Sequence, residues 1–175
     1  MQSIQTVSEN TIYVGASDRR LAKFENLFPI PRGVSYNAYV ILDEKTALLD
    51  TADASVGAQF LENVAAALDG RKLDYLIVDH MEPDHAAMIE AVLVRWPDLR
   101  LVVNAKTLPM LKMYFPTDSA AIDDALVVKE GDTLDLGKHK LTFVMAPMVH
   151  WPEVMMTFDT TTGTLFSADA FGTFG

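Results

Sequence analysis

Five potential metal ligands or bases (Asp79, His80, Glu82, Asp84 and His85) fall within residues 79–85, directly after the apolar run 75–78. Imidazoles and carboxylates at this density can hold a metal ion or move protons, while the plain alternative is a solvated polar turn. Spacing restricts the geometry. On a helix, Glu82 would point away from His80 and Asp84, because side chains share a face at i+3 and i+4. In an extended segment, period two puts all three on one side. Pro83 favours the extended form, since it disfavours helical backbone at the residue before it. The expectation is a buried strand feeding a ligand loop, with Asp84 as N-cap of the following helix.

His150 and Asp169 are further candidates. Each lies just past an apolar stretch, 140–146 and 165–167 respectively, where the strands of an α/β sheet present their binding residues. His139 sits between two lysines in a polar turn and reads as an exposed bystander.

The elements that must position these residues follow from periodicity. Residues 11–15, 34–42 and 46–50 read as strands, the last two joined by a turn at Asp43, Glu44 and Lys45. Val56, Phe60, Leu61, Val64 and Leu68 recur at helical spacing, with Ser55 as N-cap and Gly70 past the end. Residues 73–78 form a strand buried on both faces. A helix over 86–96 stops before Pro97, a strand follows at 101–104, and a helix at 106–114 tolerates Pro109 in its first turn. This alternation predicts an α/β architecture. Beyond it, short strands at 127–128, 133–136, 140–146, 154–158 and 164–167, broken at Gly131, Gly137 and Gly163, predict an antiparallel meander. Phe24 and Phe28 read as part of a loop capping the core. Met145, Met148, Met155 and Met156 read as core filler. Tyr36 and Asn37 are candidates to buttress the ligand loop by hydrogen bonds.

Composition excludes several classes. The chain has 175 residues, of which 50% are hydrophobic and 22% charged, enough for a globular domain with a proper core. Its net charge of −10, without a basic cluster, repels a phosphate backbone, so nucleic acid is not an expected partner. The absence of cysteine removes disulfides, thiolate metal sites and thiol nucleophiles. Any metal must then be held by His, Asp and Glu, a donor set that suits iron, manganese or zinc. No apolar run is long enough for a membrane span, and the first residues lack the pattern of a signal peptide; the expectation is a cytoplasmic protein.

Taken together, the motif at His80, Glu82, Asp84 and His85, His150 66 residues after Asp84, and Asp169 19 further on resemble the diiron domain of flavodiiron proteins. The segments GVSYNAY (33–39), EKTALLDT (44–51), HWPE (150–153) and SADAFG (167–172) are similar to family segments as well. The resemblance implies an α/β (α+β) fold, the metallo-β-lactamase-like αββα sandwich. Hydrolases of that fold carry His where Glu82 stands. It implies non-haem diiron: His80, Glu82 and His150 on one iron, Asp84 on the second, and Asp169 bridging. His85 would either join Asp84 or support it from behind, and Trp151 would pack beside the site and orient His150. The implied reaction is reduction of dioxygen to water, or of nitric oxide to nitrous oxide. Electrons would come through FMN on a flavodoxin-like domain, from a donor such as rubredoxin or a reductase, in a head-to-tail homodimer.

Two departures from the family pattern stand out. No histidine follows Asp169, although the family's second iron normally takes one, and no FMN domain is present. The expectation is that residues 1–175 are the N-terminal part of a diiron domain, a sandwich incomplete at its C-terminal side, completed by the rest of a longer protein or by a complementing fragment. Competing readings are a non-enzymatic diiron oxygen sensor and a metallo-β-lactamase-type hydrolase.

Overall fold

The computed structural model describes residues 3–116 and 119–173; Met1 and Gln2 of the N-terminal stretch lie outside it. Seven strands form one sheet whose spatial order is also chain order: Gln5–Ser8, Thr11–Tyr13, Tyr39–Leu42, Thr46–Leu49, Tyr75–Ile77, Arg100–Asn104 and Leu126–Val128. The first four are antiparallel neighbours. From Thr46–Leu49 onward the pairs are parallel, because each connection carries helix back across one face. A second, wholly antiparallel sheet takes Thr133–Asp135, Lys140–Met145, Met155–Asp159 and Thr164–Phe166.

Alternation along the central strands divides the interior in two. Leu48, Leu76, Leu101 and Val103 face the helices, where Phe60, Val64, Ile89, Val92 and Leu111 complete one core. Their neighbours Ala47, Leu49, Ile77 and Val102 face the small sheet, meeting Leu141, Phe143, Met155 and Phe166. Strands covered on both faces have to be apolar throughout, and these are. The layers are therefore helix, sheet, sheet. Among the described residues no helix packs on the outer face of the small sheet, so three of the four layers of an αββα sandwich are present.

Several local expectations are corrected. The run 34–42 is two strands: Val34–Tyr36 pairs with Ala16–Asp18 in a small side hairpin, and only Tyr39–Leu42 enters the large sheet. Leu126–Val128 does not join the meander but forms the parallel edge of the large sheet; its apolar residues fit either sheet, and the helical crossover before it decides. Asp84 is no N-cap. Glu82 takes that position, extended at φ −61°, ψ 145°, and Pro83 opens the short helix Pro83–Ala86 at N1, where its missing N–H costs nothing. The helix expected over 86–96 begins only at Ile89. Ser55 is no N-cap either: the helix Gly57–Leu68 starts after Val56 without a side-chain cap, and Asp53, whose carboxylate accepts from the Ser55 N–H, caps the 3-10 turn Ala54–Val56 before it.

His139 is buried at 2% exposure, where Asp159 bonds its Nδ1 at 2.8 Å. Two lysine neighbours hid a side chain that turns inward. Met155 is core, whereas Met148 is exposed. Gly33 adopts φ +85°, and a Cβ there would stand 2.4 Å from the Asp18 carbonyl oxygen. Gly33→Ala should therefore cost more than about 1 kcal/mol, read as a lower denaturation midpoint at unchanged slope.

Candidate metal centre

The parallel strands all end at one edge of the large sheet, and the candidate residues gather there. Beyond Tyr75–Ile77 the chain runs through an irregular loop with a bend at Asp79 and enters Pro83–Ala86 from Glu82, whose backbone is extended. His80 and Glu82 thus come from the loop, Asp84 and His85 from a helical turn. His150 arrives on the loop after Lys140–Met145, closed at its base by the Ala146 N–H bonding the Val154 carbonyl. Asp169 follows Thr164–Phe166 in a double turn, with Ala170 N–H on Ser167 O and Gly172 N–H on Asp169 O.

All six candidates converge. His80, Glu82, His150 and Asp169 place one ligand atom each within 4.8 Å of one another; so do Asp84, His85 and Asp169. Asp169 belongs to both groups through different oxygens. Its Oδ1 lies 2.8 Å from His85 Nε2, and its Oδ2 lies 3.2 Å from His150 Nε2 and 3.7 Å from His80 Nε2. Glu82 Oε2 is 2.8 Å from His150 Nε2 and 3.1 Å from His80 Nε2. Trp151 stands edge-on to His80, ring centroids 5.3 Å apart, and to His150 at 6.2 Å.

The residues behind the cluster are those that sequence reasoning did not single out. Asp50 takes the left-handed conformation at φ 55°. Its Oδ2 is 2.9 Å from His85 Nδ1, and its Oδ1 accepts the Asp79 N–H at 2.7 Å. Asp79 in turn accepts the Thr157 hydroxyl. Glu153 Oε1 is 2.8 Å from His80 Nδ1 and accepts the Met81 N–H at 3.0 Å. Carboxylates behind His80 and His85 orient both rings so that Nε2 faces the cluster. The buttressing expected of Tyr36 and Asn37 thus falls to Asp50 and Glu153. Nothing in composition marks these two acids; only the end of a strand, for Asp50, hints at it.

Electrostatics follow from packing like and unlike charges at low dielectric. Burial pushes Asp84 up to about 6, helped by the charges of Asp169 and Glu82 and opposed by His85. Burial opposes a charge on His85, but the hydrogen bonds its ring donates to Asp169 and Asp50 outweigh it and hold that imidazole well above its usual value. Asp169 is driven the other way: burial would raise it, and its bonds to the histidines bring it far below the ordinary carboxylate range. His80 is raised in the same manner, by Glu82 and Glu153 against burial.

The donor set fits a cation pair. It offers three imidazoles and three carboxylates with no thiolate, and Asp84 Oδ1 is buried with no hydrogen-bond partner among the described residues, an orphaned acceptor on a residue of the cluster. In front lies a cavity of about 580 Å³ walled by Phe24, Phe28, Tyr36 and Trp151 over the ligand atoms. Phe28 is half exposed on this wall, not a cap over the core; Phe24 serves both the wall and the core. Glu25 reaches the same space from a turn with left-handed backbone (φ 49°), its carboxyl raised by burial and by the charge of Glu82.

Fold and cluster together define a β-lactamase-like sandwich domain bearing an imidazole–carboxylate centre at its strand ends. The chain belongs to the ODP family beta lactamase group, whose family model matches residues 34–175. It is 37% identical over 168 residues to the anaerobic nitric oxide reductase flavorubredoxin of Klebsiella pneumoniae subsp. pneumoniae, covering 95% of this chain and 34% of that protein. The flavodiiron protein from Giardia intestinalis superposes with a TM-score of 0.89 at 27% identity, over 99% of this chain and 42% of that one. Rubredoxin oxygen:oxidoreductase from Desulfovibrio gigas gives 0.86 at 31% identity, over 93% and 40%. The chain spans about a third of the length of the curated relatives it matches.

Proposed function

We propose that residues 1–175 are the N-terminal part of the diiron domain of an oxidoreductase that reduces dioxygen to water or nitric oxide to nitrous oxide. The observation that carries this reading is Asp169, one carboxylate whose two oxygens serve two separate ligand groups. His80, Glu82 and His150 would hold one iron, Asp84 and His85 the other, with Asp169 between them. When bound, such a pair supplies two one-electron reductants side by side.

The chain's own contribution is positional. Three carboxylates offset most of the charge of two divalent ions, and Glu82, where a hydrolase has His, shifts the donor set toward oxygen and so toward iron. Asp50 and Glu153 hold two imidazoles by their far nitrogens, so little reorganisation is needed on binding. No Lys or Arg lines the cavity among the described residues. An uncharged diatomic needs none, whereas an anionic hydrolase substrate would be drawn by one.

Electrons would arrive through FMN on a further, flavodoxin-like domain, from rubredoxin or a reductase, in a homodimer or with a complementing C-terminal fragment. The proposed setting is cytoplasmic; no helix among the described residues is long and apolar enough to cross a membrane. Metal analysis of freshly purified protein tests the reading. About two irons per chain, with consumption of dioxygen or nitric oxide once a reduced flavin donor is added, is the expected result. Zinc in place of iron with thioester hydrolysis would overturn it in favour of a hydrolase, and a stable oxygen adduct without turnover in favour of a sensor.

A further inference from the structure

Glu153 is buried at 1% exposure, in a loop whose other functional residue, His150, has a half-exposed side chain. Burying a carboxylate costs several kcal/mol unless its partners compensate. Here they do so in part. One oxygen, Oε1, serves both the His80 ring and the Met81 N–H, while Oε2 has no partner at all among the described residues. Lys106, the nearest cation on the neighbouring helix, bonds the Pro152 carbonyl instead. His80 is thus the one ionisable group bonded to Glu153 among the described residues. A loop needing only stability would place an apolar side chain there. Its backbone is pinned as well: the Asn104 amide donates to the Glu153 carbonyl, and the Asn104 oxygen accepts from Lys106 and Thr107 at the start of a helix.

We propose that Glu153 is a positioning residue of the metal centre, fixing His80 as an Nε2 ligand and holding the His150 loop against it. An oxygen that accepts the Met81 N–H has a lone pair left for a proton on His80 Nδ1, so Nε2 keeps its own lone pair toward Glu82, Asp169 and the cluster. The carboxylate also carries its charge to the imidazole, making it a stronger donor. The unpartnered Oε2 would be tolerable once a divalent ion held by His80 offsets the buried charge. The group formed by Asp84, His85 and Asp169 is anchored separately, by Asp50, and provides an internal control.

This inference rests on the diiron reading, and the experiment separates the two. Fe(II) affinity is measured by chelator competition on the intact protein as wild type, Glu153→Gln and Glu153→Ala, alongside melting of each in metal-free form. Glu153→Ala should weaken one of the two metals by about 10–100-fold. Glu153→Gln keeps the shape and the accepting oxygen but drops the charge, and should fall between. Cobalt(II) substituted at the weakened position should show an altered visible spectrum. Unchanged affinity in both variants, with wild type binding two metals, overturns the role of Glu153 and leaves the diiron reading standing. Equal weakening of both metals together with a large drop in the metal-free melting temperature of Glu153→Gln makes Glu153 a fold residue and also overturns it. A wild type that binds no iron removes the diiron reading itself.

Discussion

Asp169→Ala is expected to abolish tight binding of both metals at once, whereas His150→Ala should strip mainly one. The difference lies in the two oxygens of Asp169, one beside His85 and one beside His150 and His80. Losing a residue that merely orients a ligand costs about 10–100-fold in metal affinity. A carboxylate shared by two ions should cost more than about 100-fold for each. Its side chain is about one-third exposed and lies in a surface turn, so the fold should survive. Iron content per chain and metal-free melting, measured together on both variants, check this. If Asp169→Ala still retains one iron at wild-type affinity, the carboxylate does not bridge.

His139→Ala should be the most damaging substitution far from the centre. His139 and Asp159 form a buried pair. Close by, the His139 N–H donates to Asp43 Oδ2, and the Lys45 N–H to the Leu136 carbonyl. The two backbone contacts clip the small sheet to the large one at the end opposite the metal centre, while the buried pair ties the turn at His139 to the end of Met155–Asp159 within the small sheet. Removing one member of a buried pair strands the other, at about 3–5 kcal/mol. For a chain of this size 3 kcal/mol is about 6–12 °C in melting temperature. A variant melting within a degree or so of wild type would show that the buried pair contributes nothing.

The pH dependence has a definite sign. Burial opposes ionisation of Asp159, but hydrogen bonds from Thr162, His139 and Thr161 prevail and hold its carboxyl below the usual value. A depressed carboxylate contributes stability that is present above its unfolded pKa and lost as pH falls through the folded one. The stability gap between wild type and Asp159→Asn should therefore be full near about pH 6 and close only below about pH 4. A gap that is flat down to acid unfolding would show that ionisation of Asp159 contributes nothing.

How much was legible varied with the range of the interaction. The central strands and the helix Gly57–Leu68 could be read within a residue or two, since their apolar spacing is dictated by the faces they bury. Whether Leu126–Val128 joined one sheet or the other could not, because three apolar residues satisfy either. The N-cap was misplaced by two residues, at Asp84 and not Glu82, since Pro83 favours both an extended residue before it and a helix starting at itself. His139, flanked by lysines, carried no local sign of its partner Asp159, which lies 20 residues away.

By itself the sequence determined the donor types, the absence of thiolate and the strand-end spacing of His80, Glu82, Asp84, His150 and Asp169, because these are covalent facts and short-range periodicities. Tertiary structure alone decided that Asp169 faces two groups with its two oxygens, and that Asp50 and Glu153 stand behind two of the histidines. Such relations join residues from 19 positions apart, for His150 and Asp169, to 84, for His85 and Asp169, and further for His80 and Asp169. No local pattern encodes them; they exist only once two sheets have packed and brought separate strand ends to one edge.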